Sequence, residues 1–297
     1  MKKSVIVTGG TKKDVPAMAV LVLNIRDTNI NLADEIIIYH DGISKKDQKI
    51  INTIFPTKFI EYRFPGDTNS FNSTITDYFS TMVFCKYECF KLLSEYHRVI
   101  WTDYDVVIRG DFSELIEPTP SGVKFIPSLE TKVRQQFFDS IKEIDMSMYD
   151  MERMATCMSL FVLYDTLKNY MSIYNSCITK AIEYGKHLHL GEQGVIDLLI
   201  QDYKIEYLPL ENKVYSSHPS KDKIDDSIKI LHSYGQPKFW NGLKNEQWNF
   251  YYEKWLGLGG TSFLELKKKN DRINRNLINK ALKKIKSIVK NILGWRR

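Results

Sequence analysis

Arg98-Val99-Ile100-Trp101-Thr102-Asp103-Tyr104-Asp105-Val106-Val107 places a short β-branched apolar run directly before two carboxylates one residue apart. Such a run reads as a buried strand, and in a strand residues i and i+2 share a face. Asp103 and Asp105 are therefore expected to converge on one cation. Hard oxygen ligands suit Mn²⁺ or Mg²⁺, and such an ion can hold a diphosphate. By itself an Asp-x-Asp also fits two solvated acids at a strand end, since Asp favours turns. Its weight comes from the apolar run before it and from a second motif far downstream.

The sequence leading to this stretch alternates strand and helix patterns. Ser4–Thr8 reads as a buried strand with Gly9-Gly10 as its turn, and Val15–Asn24 as a helix with Asp14 as N-cap. Glu35–His40 reads as a second strand. Ser44 caps a helix running to Phe55, which Pro56 closes, and Lys58–Phe64 reads as a third strand. A polar loop over 65–77 and a helix over 79–96 follow. This order argues for an α/β layered sheet, whose ligands sit beyond the carboxyl ends of the strands. Further on, strands are expected at Ser159–Tyr164, Ile205–Leu208 and Lys229–His232, and helices at Thr166–Tyr184 and Glu192–Asp202. Residues 209–228 read as loop. The aromatic stretch Trp240–Trp255 fits a satellite core or a platform for flat ligands.

The chain has 297 residues with 43% apolar and 26% charged content, which suits a globular protein with a sizeable core. The net charge of +6 is uneven: residues 267–297 hold twelve Lys and Arg against one acid, Asp271. The body before them is net acidic. Apolar residues from Ile273 to Leu293 keep helical spacing opposite a Lys/Arg face, which predicts a basic amphipathic helix for an anionic membrane surface. A helix packed on the body fits the same pattern. Nucleic acid is not expected as a partner, given the acidic body. Cys85, Cys89, Cys157 and Cys177 are too few and scattered for a disulfide scaffold and read as free thiols in a reducing compartment. The run after Lys2-Lys3 is cut by Gly9-Gly10, too short for a signal peptide, and Asn24 and Arg26 break the run Ala17–Leu23. The expected location is cytoplasmic, peripheral on the inner face of the membrane.

The second motif is His232-Ser233-Tyr234-Gly235-Gln236-Pro237-Lys238-Phe239-Trp240. His232 can ligate a metal, Gly235 lets backbone approach a ligand, and Lys238 can hold a phosphate as a point charge. Each of these residues has a plain structural role open to it. Together with the Asp-x-Asp they make a coherent diphosphate site.

On these two motifs the chain resembles the retaining glycosyltransferases of family 8, which include bacterial lipooligosaccharide galactosyl- and glucosyltransferases and glycogenin. Tyr39-His40-Asp41-Gly42-Ile43-Ser44 and Val106–Leu115 follow the family's course as well. The resemblance implies a GT-A fold: a Rossmann-like mixed sheet flanked by helices, catalytic over residues 1–260, with the basic tail at 261–297. It implies a UDP-sugar donor, a glycan or glycolipid acceptor, and Mn²⁺ (Mg²⁺ as second candidate) held by Asp103, Asp105 and His232. Tyr104, Gly235 and Lys238 would join the donor site, and Thr8 and Gly9 would offer backbone contacts to the base. The family's Arg ahead of the metal strand is Lys86 here, and its Asp-Gln pair is Glu192-Gln193, whose oxygens would lie beside the anomeric carbon. Its Asn-x-Gly segment aligns with Met158-Ser159-Leu160, a departure that bears on recognition of the donor sugar.

Two other classes remain open at this point. A nucleotidyltransferase would use carboxylate-bound Mg²⁺ and a Gly-rich basic loop, of which Gly9-Gly10-Thr11-Lys12-Lys13 is a weak form. A non-enzymatic module would bind membrane through its basic tail.

Overall fold

Seven strands form a central sheet in the order β3-β2-β1-β4-β7-β6-β8, and two more form a separate ribbon, β5-β9. The computed structural model describes residues 3–269 and 271–272. Strands β1 (Lys3–Gly10), β2 (Glu35–His40), β3 (Thr57–Glu61) and β4 (Tyr96–Thr102) run parallel. The sheet is mixed because β7 (Met154–Tyr164) pairs antiparallel with both β4 and β6 (Val123–Lys132), and the short β8 (Leu208–Pro209) follows β6 in parallel. The ribbon joins β5 (Val106–Ile108) to β9 (Ile230–His232) antiparallel.

Parallel strands covered on both faces read as continuous apolar runs, and the two cores show it residue by residue. Val5, Val7, Ile37, Tyr39, Val99 and Trp101 pack into one core, whereas Ile6, Ile36, Ile38 and Ile100 pack into the other. The first core is closed by α3 (Glu88–Leu92), α4 (Tyr170–Tyr184) and α5 (Gln193–Asp202). The second is closed by α1 (Val15–Thr28), α2 (Lys45–Ile54) and α7 (Glu246–Gly257), with the four-residue α6 (Asn212–Tyr215) at its margin. Asn24 is buried in α1 and clamps it to the ribbon: its Nδ2 donates to Ile108 O at 3.0 Å and its Oδ1 accepts from Ile108 N at 2.7 Å. Ser44 caps α2 by accepting from Asp47 N.

Several sequence expectations need correction. Gly9 and Gly10 are not a turn but the end of β1, paired with Tyr39 and His40. Asp14 gives α1 no side-chain cap; its carboxylate instead accepts from Thr11 N and Oγ1 and closes the short 3₁₀ turn before the helix. The expected helix over 79–96 is a 3₁₀ segment, Thr81–Tyr87, followed by the short α3. Strand β6 is not among the expected strands, because its charged and proline-containing half breaks the alternation that marks a strand. The expected strand at Ile205–Leu208 shrinks to Leu208–Pro209, and residues 209–228 contain α6. The aromatic stretch is core: Trp248 and Trp255 are buried, and Trp240, Trp248, Tyr252 and Phe263 stack on one another. The basic amphipathic helix expected from Ile273 to Leu293 lies outside the described residues; Lys267, Lys268 and Lys269 fall in a helix over 263–269. Among the described residues no helix is long and apolar enough to cross a membrane.

Candidate active site

β4 ends at Thr102, so Asp103, Tyr104 and Asp105 form the bend between β4 and β5. The shared-face argument for a strand therefore does not apply to the two carboxylates. They are brought together by backbone pairing on either side of the bend. Asp103 N donates to Ser159 O at 2.8 Å, extending the β4–β7 pairing by one residue. On the far side Val106 pairs with His232, and Asp105 O accepts from Ser233 N at 3.0 Å and Ser233 Oγ at 2.9 Å.

This register sets His232 Nε2 3.4 Å from Asp105 Oδ1 and 3.9 Å from Asp103 Oδ2. One ligand atom from each of the three residues lies within 4.8 Å of the others. Two carboxylate oxygens and an imidazole nitrogen suit a divalent cation such as Mn²⁺ or Mg²⁺. Asp105 is buried, and burial alone would push its carboxyl up. His232 and the Lys238 ammonium override this and hold it well below the usual carboxylate range. Lys238 Nζ donates to Asp105 Oδ2 and, at 2.9 Å, to Ser233 O. Gly235 stands between His232 and Lys238 with φ +72°, a conformation that strains other residues, and nothing crowds the position a Cβ would take.

Lys86 links the cation site to α5. Its Nζ lies 2.6 Å from Glu192 Oε1, 3.1 Å from Asp103 Oδ1 and 3.1 Å from Met158 O, with the Trp101 ring 5.3 Å away. Burial alone would lower its pKa; Asp103 and Glu192 outweigh burial and keep it protonated. Glu192 occupies the N-cap position of α5 but makes no capping hydrogen bond. Its side chain turns inward to Lys86, so a preference for helix N-termini does not account for it. Burial pushes the Glu192 carboxyl up, with Lys86 opposing. Gln193 opens α5 half-buried, its Nε2 reaching Leu190 O at only 3.5 Å.

Thr8 is fully buried in β1, and its Oγ1 has no protein partner. A Cβ on Gly9 would stand 2.5 Å from Cys85 Sγ, so packing explains that glycine. A Cβ on Gly10 would stand 2.7 Å from the Tyr104 ring, whose hydroxyl bonds to Asp14. Gly9 and Gly10 thus belong to a packed strand and do not form the phosphate loop a nucleotidyltransferase would need.

Four residues at the site had not been singled out for these contacts. Trp101 Nε1 donates to Asp103 Oδ1 at 2.8 Å; its i, i+2 spacing from Asp103 was the available signal. Met158 and Ser159 face Lys86 and Asp103 through their carbonyls. Ser216 Oγ lies 3.0 Å from His232 Nδ1, and no sequence pattern announces it.

A family model described as glycosyl transferase family 8 matches residues 5–244. Among solved structures, a galactosyltransferase, LgtC, in complex with donor and acceptor sugar analogues aligns at 13% identity and TM-score 0.64, covering 86% of this chain and 99% of that one. The bifunctional glycosyltransferase WbbM aligns at 13% identity and TM-score 0.61, covering 90% of this chain and 51% of that one. The glycosyltransferase GlyE of Streptococcus pneumoniae TIGR4 aligns at 14% identity and TM-score 0.55, over 86% and 64% of the two chains. At such identities the structural likeness speaks for the fold alone. No curated protein matches the sequence.

Proposed function

The chain belongs to glycosyl transferase family 8, and from that premise we propose that it moves a hexose, galactose or glucose, from a UDP-sugar to a hydroxyl of a glycan or glycolipid with retention at the anomeric carbon. The observation that carries this reading is the convergence of Asp103, Asp105 and His232 within 4.8 Å, with Lys238 already seated on Asp105. Asp103, Asp105 and His232 would hold Mn²⁺ or Mg²⁺. When bound, such an ion supplies Lewis-acid neutralisation of the departing diphosphate.

Lys238 supplies a second positive charge on the same side, and Gly235 leaves its backbone open to the diphosphate. Gln193 stands half-buried at the start of α5, where its amide oxygen can face the oxocarbenium-like sugar, and Glu192, buried against Lys86, would act beside it through that lysine. Lys86 holds Glu192 and Asp103 in one charge network, so the sugar end and the metal end of the donor share a support. The acceptor hydroxyl would lose its proton to the leaving phosphate, which removes the need for a dedicated base. Thr8 and Gly9 would border the base, and Tyr104 would line the donor site. Residues 1–260 would be the catalytic unit. The basic tail at 261–297 would hold the enzyme on the anionic inner face of the cytoplasmic membrane, next to a precursor of lipopolysaccharide or another surface polysaccharide.

Screening UDP-sugars for Mn²⁺-dependent hydrolysis tests the reading without knowledge of the acceptor. One donor should be turned over to UDP, and Asp103→Ala should abolish the reaction. Failure to bind any UDP-sugar in a metal-replete sample would sink it.

A further inference from the structure

Helix α2 carries its lysines where helix stability does not place them. Lys45 and Lys46 open the helix and Lys49 follows one turn on; all three are exposed. The first turn of a helix bears partial positive charge, so it favours acids and disfavours ammonium groups. Among the described residues these three lysines form no ion pair, whereas Lys58, Lys132, Lys180 and Lys229 each meet a carboxylate at 3.0 Å or less.

The same end of α2 is tied to the segment that leads into the basic tail. Asp47 is buried in α2 and accepts from Thr261 N at 3.0 Å and Thr261 Oγ1 at 2.9 Å. Trp255 Nε1 donates to Thr261 O at 2.9 Å and holds the segment from α7. The helix over 263–269 therefore starts against α2, and Lys46 and Lys268 both lie within electrostatic reach of Glu265. Lys267, Lys268 and Lys269 are exposed, and Leu264, one turn before them, is 60% exposed. The lysines outnumber the acids that stand with them. Residues 272–297 continue the charge in sequence, with nine Lys and Arg and no acid.

This surface stands at the end of the sheet that carries the cation site. Strands β1, β2 and β4 run parallel, so their carboxyl ends share one edge. β2 ends at His40 and α2 opens at Lys45; β4 ends at Thr102, directly before Asp103.

We propose that Lys45, Lys46 and Lys49 join Lys267, Lys268 and Lys269 in one docking surface for an anionic phospholipid bilayer. The proposal rests on the reading of the basic tail as a membrane anchor and extends it onto the catalytic unit. An anchor made of the tail alone leaves that unit free to turn, whereas lysines on α2 hold its carboxyl-end edge toward the lipid, where a glycolipid presents its sugar. Lipid headgroups supply the negative charge, and Leu264 finds an apolar partner below them. A nucleic acid offers the lysines phosphate and the leucine nothing.

The test is co-sedimentation of the full chain with vesicles of phosphatidylcholine, alone or mixed with phosphatidylglycerol. Thermal melting and metal-dependent UDP-sugar hydrolysis without vesicles run alongside. The wild type should bind the mixed vesicles and not the neutral ones. Lys45→Gln, Lys46→Gln and Lys49→Gln combined should weaken that binding about 100-fold, ~5-fold for each lysine, and leave melting and hydrolysis as in wild type. Lys168→Gln, Lys186→Gln and Lys204→Gln combined remove the same charge from exposed positions at the ends of α4 and α5 and should bind as wild type. Wild-type affinity in the α2 variant, or an equal loss in the α4–α5 variant, overturns the docking surface and leaves the tail as the anchor. Equal binding of the wild type to neutral vesicles overturns a surface built on charge. If the wild type binds neither vesicle, the membrane reading of the tail falls together with the surface, and hydrolysis reports on the sugar-transfer reading separately.

Discussion

Asp105 and Asp197 are both buried carboxyls, and their surroundings push them in opposite directions. Asp105 sits against Lys238 and His232, which override burial and hold it ionised. Asp197, in α5, is hydrogen-bonded by the neutral donors Thr156 N at 3.1 Å and Thr156 Oγ1 at 2.9 Å, and the one cation that acts on it, Arg153, makes no ion pair with it. Burial wins there and lifts its carboxyl to about 7. Neutral hydrogen bonds do not offset the loss of hydration of a charge, whereas a neighbouring cation does. The cluster kept charged stands at the bend after β4 and the end of β9; the acid left close to neutrality ties α5 to β7.

The largest expected effect comes from breaking the charged side of this comparison. Asp105→Ala removes a cation ligand and leaves Lys238 and His232 without their shared partner. Metal-dependent turnover of the donor should fall on the order of 10⁴-fold, ~5.5 kcal/mol of transition-state stabilisation. Steady-state kinetics at saturating Mn²⁺ check this, and a variant within tenfold of wild type would mean that Asp105 is not a ligand.

A second break concerns stability. Lys86→Met leaves Glu192 buried and unpaired, which should destabilise the fold by about 3–5 kcal/mol. Burial already pushes Glu192 up, and removal of Lys86 raises it further. Above the folded-state pKa the unpaired carboxylate must be ionised, so the loss should be greater at pH 8 than at pH 5. Adding Glu192→Gln to Lys86→Met should restore most of the stability in urea unfolding, because no buried charge then lacks a partner. Equal stability of the single and double variants at pH 8 would remove the ion pair from this account.

The same contrast separates what was legible in the sequence from what was not. The parallel strands were readable because each is a β-branched run closed by polar residues, and Glu35–His40 came out with its observed ends. Asp103, Asp105, His232 and Lys238 were found as chemistry-bearing residues in two motifs. Strand alternation does not bring them together; the bend at 103–105 and the β5–β9 register do. Register between segments more than a hundred residues apart has no local signature. Strand β6 was missed for a related reason: it is held by pairing with β7, and its outer half, Ser128–Lys132, is polar and largely accessible. Ser159 and Ser216 carry no pattern at all, because their role exists only once β7 and the segment after α6 lie side by side.

The smallest expected effect sharpens the neutral side. Asp197 has a folded-state pKa of about 7 against about 3.9 in an unfolded chain. Between those values the folded protein binds more protons than the unfolded one, so this group's contribution is fully present below about pH 4 and is lost as pH rises through about 7. Asp197→Asn removes that dependence and keeps an acceptor for Thr156 N. Its stability relative to wild type should therefore rise by on the order of 1–3 kcal/mol between pH 5 and pH 8. Urea unfolding of both proteins across this range decides the point. Parallel curves would show that Asp197 is ionised at pH 5 like an ordinary carboxylate, and that Thr156 alone is enough to hold a buried charge.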